Sequence, residues 1–284
     1  MIPAAFDYTA PPTLQEALTA LAEAGDDAKV LAGGQSLLPV LRMRLNAPDR
    51  LIDLGRIEEL RGITEEGDHV VIGAMTTYAD VLASDVVRQH AALLAKAVKE
   101  VADPQIRHRG TVGGALVHAD PAGDVGAPVL ALDAELVIAG PGGERSVAAG
   151  DFFRDLFDTA VGEGEVLARI RVPKHTGWGA HYEKFVRVAH QWSIVAVGVT
   201  LRVDGGAIAE ARIGLTNMGS TPLRATAVEQ ALIGRPATDE AVREACAAAA
   251  EGTSPPSDLN GSADYRRHLA TVLTRRAVLA AAGV

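Results

Sequence analysis

Gln105-Ile-Arg-His-Arg-Gly110-Thr111-Val-Gly-Gly-Ala115, continued by His118-Ala-Asp-Pro-Ala-Gly-Asp124, mixes glycines, basic residues and carboxylates with no amphipathic period. A stretch of that kind builds a site rather than a core. Its counterpart upstream is Val30-Leu-Ala-Gly-Gly-Gln-Ser36, where an apolar run passes straight into two glycines and two polar residues. Glycine lets backbone N–H groups approach an anion with no Cβ in the way, and successive N–H groups in a tight turn form an anion-binding concavity. Two such turns in one chain can clasp one ligand. Each taken alone also reads as ordinary punctuation between strand and helix. Neither fits GxGxxG and no GxxxxGK[ST] occurs, so a Rossmann dinucleotide site and a triphosphate-hydrolysing loop lack their usual support.

Working outward from these turns, Thr13-Leu-Gln-Glu16 predicts a capping box, and the helix after it runs to Ala24 with Leu14, Leu18 and Leu21 on one face and Gly25 at a left-handed end. Lys29–Ala32 and Arg50–Leu54 read as strands, and Leu37–Leu45 as a short helix broken by Pro39. That gives a first lobe ending near Arg56. His69–Gly73 opens a second lobe as a strand, followed by helical patterns over Thr77–Ala83 and Val86–Val101. Beyond the second glycine turn come an apolar run at Val125–Leu132, a strand at Ala134–Ala139, a hairpin-type turn at Pro141-Gly-Gly143 and an alternating strand at Val166–Val172. Pro173 closes that lobe, and His175–Gly179 reads as a linker. After it, Ala180–Val188, Ile194–Val203 and Ile208–Thr216 predict an antiparallel meander, its last two strands joined across Asp204-Gly-Gly206. Arg224–Ile233, Asp239–Ala250 and Ser262–Ala282 predict three helices packed on one face of it.

With 284 residues, 48% hydrophobic and 22% charged, the composition is that of a globular protein large enough for two domains. A net charge of −9 with no basic cluster argues against a nucleic-acid surface. The single cysteine, Cys246, lies in an alanine-rich helix and reads as a small buried residue, so the chain cannot hold an iron–sulfur cluster through several thiolates. No basic n-region precedes an apolar stretch at the N-terminus and no apolar run approaches twenty residues, which predicts a cytoplasmic protein without a transmembrane segment. The eight histidines show no metal-ligand spacing. Asp120-Pro121 reads as a turn starter, and Asp124 as a hydroxyl acceptor for a sugar-like ligand chain. No Ser lies in a GxSxG context, so a nucleophilic hydrolase has no anchor. Trp192 has two readings, simple core or a platform lying over a flat cofactor.

Ala32-Gly-Gly-Gln-Ser36 followed by Leu37-Leu-Pro39, with Arg107-His-Arg-Gly-Thr-Val-Gly-Gly114 and Ala119-Asp-Pro-Ala-Gly-Asp124, closely resembles the FAD-binding medium subunit of the molybdenum hydroxylases. That is the carbon monoxide dehydrogenase medium-subunit family, related to the flavin domain of xanthine dehydrogenase. The likeness spans essentially the whole chain. It implies an α+β fold: a two-lobed FAD-binding module of the vanillyl-alcohol oxidase type over residues 1–174 (lobes about 1–56 and 57–174), then a small domain over 179–284 with a three-stranded antiparallel sheet and three helices. It also implies that Ala32, Gly33, Gly34, Gln35 and Ser36, with Thr111, Val112, Gly113, Gly114 and Ala115, wrap the FAD pyrophosphate and ribityl chain. Asp124 binds the polar chain on the same resemblance, Leu167 and Lys184 make further flavin contacts, and Trp192 stacks on the ring. Two positions depart from the pattern: Gln35 stands where many members carry His, and His190-Gln191 where many carry Asp or Gly-Asp.

The function implied is an electron relay. In such enzymes a large molybdopterin subunit oxidises substrate, a small subunit with [2Fe–2S] clusters passes single electrons on, and the flavin subunit hands them to an external acceptor. The expected assembly is a dimer of heterotrimers, with the clusters and molybdopterin on partner chains only. No protein acid, base or nucleophile is required, so no catalytic residue and no metal ligand is named. The alternatives are a stand-alone flavin oxidoreductase on the same scaffold and a non-catalytic module that docks a partner. Substrate and electron acceptor leave no mark in this sequence.

Overall fold

The first glycine turn leaves the end of a strand and the second is bonded to the chain leaving another, in a computed structural model that describes residues 2–284. The chain opens with β1 (Asp7–Thr9), α1 (Leu14–Ala24), β2 (Ala28–Leu31), α2 (Leu37–Arg42) and β3 (Arg50–Asp53). The strands form a parallel sheet in the order β1-β3-β2. Thr13 caps α1 by accepting the Glu16 N–H at 3.2 Å, and its hydroxyl donates to the Glu16 carboxylate at 3.0 Å. The box therefore closes on the hydroxyl. Ala17, Leu18 and Leu21 bury the inner face of α1 against Ile52 and Leu54. Pro39 does not break α2: it is the third residue of the helix, where its missing N–H would have had no intrahelical partner.

There follow β4 (Ile63–Glu66), β5 (His69–Gly73), α3 (Tyr78–Ala83), α4 (Asp85–His90), α5 (Ala92–Lys99), α6 (Pro104–Arg107), α7 (Val112–His118), α8 (Gly126–Ala131), β6 (Glu135–Gly140), β7 (Gly143–Ala148), α9 (Ala149–Phe152), β8 (Phe153–Asp155), β9 (Asp158–Thr159) and β10 (Val166–Pro173). An antiparallel sheet runs β4-β5-β10-β6-β7. The single helix expected over Val86–Val101 is two, parted at Ala91 (φ −137°, ψ 45°). The break frees the end of α4 for the linker: His90 Nδ1 lies 2.6 Å from Thr176 Oγ1, and the His90 carbonyl accepts the His175 N–H at 2.8 Å. A bulge at Ala168 turns its carbonyl onto the Ala74 N–H at 2.9 Å, which fixes the strand end from which the second glycine turn hangs.

The rest comprises β11 (Gly179–Phe185), β12 (Val195–Asp204), β13 (Ala207–Thr216), β14 (Leu223–Arg224), α10 (Thr226–Leu232), α11 (Asp239–Cys246) and α12 (Ala263–Ala282). The three expected antiparallel strands are joined by a fourth, two residues long, in the order β11-β12-β13-β14. Gly205 and Gly206 both take positive φ (56° and 84°), as a two-residue hairpin turn requires. Helices α10 and α12 pack on this sheet and α11 packs on both of them, while α5 and α8 also lie against it. Because helices of the preceding segment cover it too, Val195–Leu201 of β12 is buried throughout. Cys246 is fully buried, and burial pushes its thiol up to about 12.

The contact between α8 and β13 depends on Gly214, where a Cβ would stand 2.2 Å from the Ala127 carbonyl oxygen. Gly214→Ala must move helix backbone rather than a side chain. We expect it to cost about 2–3 kcal/mol, the upper part of the usual range for overpacking, read as a lower denaturant midpoint.

Candidate functional site

The two glycine turns meet. Strand β2 ends at Leu31, and Ala32–Ser36 carries the chain into α2, with Gly34 at φ +75°, a left-handed conformation that favours glycine. The second turn begins at Thr111, whose Oγ1 caps α7 by accepting the Gly114 N–H at 3.1 Å. A Cβ on Gly33 would stand 2.1 Å from the Arg109 carbonyl oxygen and 2.9 Å from Gly110 Cα, and a Cβ on Gly114 would stand 3.2 Å from Ala32 Cβ. Gly33 and Gly114 thus bring two backbones to contact distance. Gly113 has another task, since its Cβ would meet the Ala74 carbonyl oxygen at 2.6 Å and Ala74 Cβ at 2.5 Å. It seats α7 on the chain leaving β5.

The two turns differ in what they offer a ligand. Val112 donates to Thr76 O at 3.1 Å, Gly113 to Ala74 O at 2.9 Å and Ala115 to Thr111 O at 3.2 Å, so the N–H groups of the second turn already serve the fold. Among the described residues, the N–H groups of Gly34, Gln35 and Ser36 have no internal acceptor, and the Ser36 side chain makes no cap bond. Gln35 Nε2 donates to Gly33 O at 3.2 Å and closes the first turn on itself. The first turn supplies open donors and the second supplies the wall that holds it. Open backbone donors in a tight turn suit an anion, and the glycines here occupy space that any Cβ would fill.

Asp124 lies at the end of the Asp120–Asp124 turn and is buried. Its carboxylate accepts from Lys184 Nζ at 2.7 Å, Tyr182 Oη at 2.8 Å and Ser193 Oγ at 2.9 Å. Lys184 also donates to the Glu100 carbonyl at 3.0 Å. Burial pushes the Asp124 carboxyl up, against Lys184 and the two hydroxyls, which pull it down. Burial and the Asp124 charge push the Tyr182 hydroxyl well up, so it remains a donor. A carboxylate has about four acceptor positions. Three are taken, and one is left.

Leu167 is buried in the same core as Val112 and Leu116, so its side chain serves packing. Trp192 is 55% exposed, which overturns the reading of it as core. Its Cζ3 would stand 4.0 Å from a Cβ on Gly123, which puts the ring beside the turn that ends in Asp124. Asp120 is the expected turn starter, its Oδ1 accepting the Ala122 N–H at 2.9 Å. Burial pushes the His118 imidazole down, and its ring lies 5.1 Å from that of Phe157. No group of three or more His, Cys, Asp or Glu able to hold a metal ion occurs among the described residues. Sequence reasoning missed Tyr182 and Ser193. Tyr182 was findable as an inward-facing position two residues before Lys184, whereas Ser193 carried no signal.

Residues 4–175 match the family described as the FAD binding domain in molybdopterin dehydrogenase, and residues 180–281 match the CO dehydrogenase flavoprotein C-terminal domain. The chain belongs to this family. It is 44% identical to the carbon monoxide dehydrogenase medium chain of Hydrogenophaga pseudoflava, over 99% of this chain and 98% of the relative. It is 37% identical to the glyceraldehyde dehydrogenase medium chain of Sulfolobus acidocaldarius, over 98% of each. Among solved structures, carbon monoxide dehydrogenase from Hydrogenophaga pseudoflava lacking the Mo-pyranopterin moiety superimposes with a TM-score of 0.96 at 46% identity, over 99% of this chain and 98% of that one. The mixed helix and strand fold is therefore the FAD-binding fold of the CO dehydrogenase structures. The chain is a medium, FAD-binding subunit of the kind found in CO and xanthine dehydrogenases, and FAD is its cofactor. No helix among the described residues is long and apolar enough to cross a membrane.

Proposed function

We propose that this chain is the flavin station of an electron relay in a molybdenum-containing hydroxylase or dehydrogenase. Electrons arrive from a [2Fe–2S] subunit and leave to an external acceptor. The observation that carries the reading is the backbone contact between Gly33 and Arg109–Gly110, which makes one cradle of two glycine turns. FAD, when bound, supplies a carrier that accepts electrons singly and releases them as a pair. Around it, Ala32–Ser36 bind the diphosphate through the open N–H groups of Gly34, Gln35 and Ser36, and Thr111–Ala115 hold that turn in place. Asp124 accepts a hydroxyl of the polar chain with its remaining acceptor position. Lys184 acts through Asp124, Leu167 lines the site from the core, and Trp192 offers its exposed face to the ring.

The flavin module is of the vanillyl-alcohol oxidase type over residues 1–174, followed by the domain at 179–284. A chain with one fully buried cysteine cannot supply the four ligands of a [2Fe–2S] centre. The clusters and the molybdopterin belong to a small and a large partner subunit, in a cytoplasmic dimer of heterotrimers. Relatives named for carbon monoxide and for glyceraldehyde share this scaffold, so substrate choice lies in the large subunit.

The test is to purify the full chain, titrate FAD into it, and then add the two partner subunits. Stoichiometric flavin uptake, with flavin reduction only when the partners and their substrate are present, is the expected result. No uptake of FAD would sink the proposal. Reduction of the lone subunit's flavin by a small organic substrate would replace it with a stand-alone oxidoreductase.

A further inference from the structure

We propose that Asn217 is a positioning residue for the flavin ring, clamping the segment that carries Trp192 to the turn that carries Asp124. The inference rests on the reading of Trp192 as the ring's platform. Asn217 follows β13 directly and takes φ +61°, a left-handed conformation that asparagine tolerates better than most residues. In that conformation it faces two ways. Its backbone N–H donates to the Pro121 carbonyl at 2.8 Å, holding the Asp120–Asp124 turn. Its Nδ2 donates to the Ser193 carbonyl at 2.8 Å and reaches the Ile194 carbonyl at 3.3 Å, holding the chain on the other side of the Trp192 ring. Two carbonyl oxygens facing one side-chain atom require a donor there, which fixes the amide orientation.

The neighbours of the clamp are themselves fixed. The Ile194 carbonyl also accepts from Arg266 Nη1, and Arg266, only 1% exposed at the start of α12, is anchored to Asp258 Oδ1 at 2.7 Å. Ser193 Oγ donates to Asp124 Oδ1 at 2.9 Å. Residues 187–190, just before this point, are exposed, so the chain enters the site from a solvated loop and is caught at Ser193 and Ile194. Trp192 is the last residue before the catch. A ring on a single exposed residue covers a cofactor only if its backbone is held, because ordering it costs conformational entropy that stacking must outweigh. Asn217 holds both sides of the gap between Trp192 and Gly123.

The test uses the full chain in a Trp178→Phe background. Trp178 sits apart, packed edge-on to His175 at 4.8 Å, so the remaining tryptophan emission then reports Trp192 alone. Asn217→Gly keeps the left-handed backbone and the bond to Pro121 and removes only the side-chain grip. Asn217→Asp keeps the shape and places a carboxylate oxygen against the two carbonyls. In the FAD-free chain, where the ring is already 55% exposed, both are expected to raise acrylamide quenching of Trp192 measurably, by no more than about the twofold that full exposure allows, with little change in the thermal midpoint. In the FAD-loaded chain, both are expected to weaken the quenching of Trp192 by flavin by a similar factor while diphosphate-dependent uptake persists. Unchanged quenching in both states for either folded variant overturns the clamp. If the Trp178→Phe parent takes up no FAD, the flavin reading fails separately, and the acrylamide measurement on the FAD-free chain still decides for or against Asn217.

Discussion

Gly33→Ala is expected to strip FAD from the chain while leaving its fold in place. The new methyl would stand 2.1 Å from the Arg109 carbonyl oxygen, 2.9 Å from Arg109 C and 2.9 Å from Gly110 Cα, all of them backbone atoms that no rotamer change can move. The only relief is to part the two turns, at a cost of about 1–3 kcal/mol. The wall behind Gly34, Gln35 and Ser36 then retreats, and the turn that presents their N–H groups shifts with it. A charge-assisted hydrogen bond contributes about 1.5–3 kcal/mol, so losing two of them weakens binding by roughly two orders of magnitude or more. Gly150→Ala is the control, because a Cβ at Gly150 meets nothing within 4 Å. Equilibrium dialysis with FAD separates the two variants, and circular dichroism shows whether each is folded. A folded Gly33→Ala protein that binds FAD as tightly as the parent would refute the cradle.

How much of this was legible in the sequence depends on whether the signal was local. The Asp204-Gly-Gly206 turn, the alternating strand ending at Pro173 and the Thr13 cap each follow from a few neighbouring residues, and each stands where the pattern put it. The pairing of the glycine turns was guessable from their likeness, but their division of labour was not. Which N–H groups remain open depends on Ala74 and Thr76, some forty residues from the first turn. Strands β1 and β14, at three and two residues, are too short for any period to show. The break at Ala91 answers to the linker at His175–Thr176, eighty-odd residues away, and the apolar spacing through it is helical on both sides. Trp192 begins an apolar run yet is exposed, because the run enters the sheet only at Val195. Asp124 was legible as a polar site residue, whereas its burial with Lys184, sixty positions later, was not.

That pair sets up the second large effect. Lys184→Met should be among the most destabilising substitutions in the chain, because the Lys184 and Asp124 side chains are only 6% and 4% exposed and 2.7 Å apart. Removing one partner of a buried pair leaves an unpaired charge and costs about 3–5 kcal/mol. Adding Asp124→Leu does not restore the loss: Tyr182 and Ser193 would then lose their carboxylate acceptor, and a buried hydroxyl left without one costs about 1–3 kcal/mol. The sign of the pH dependence distinguishes this cause from lost packing. In the parent, burial already pushes the Asp124 carboxyl above its ordinary value of 3.8, and without its cation it moves further up. A carboxyl raised on folding binds more protons folded than unfolded, so stability falls as pH rises from the ordinary carboxylate range through the raised folded value. The destabilisation of Lys184→Met is therefore expected to be full in neutral buffer and to shrink in mildly acidic buffer, where Asp124 takes a proton and keeps both hydroxyl donors. Urea midpoints of parent and variant, compared in the two buffers without FAD, measure it. A gap that stays constant or widens on acidification would show that the lysine's aliphatic chain, not its charge, holds the turn in place.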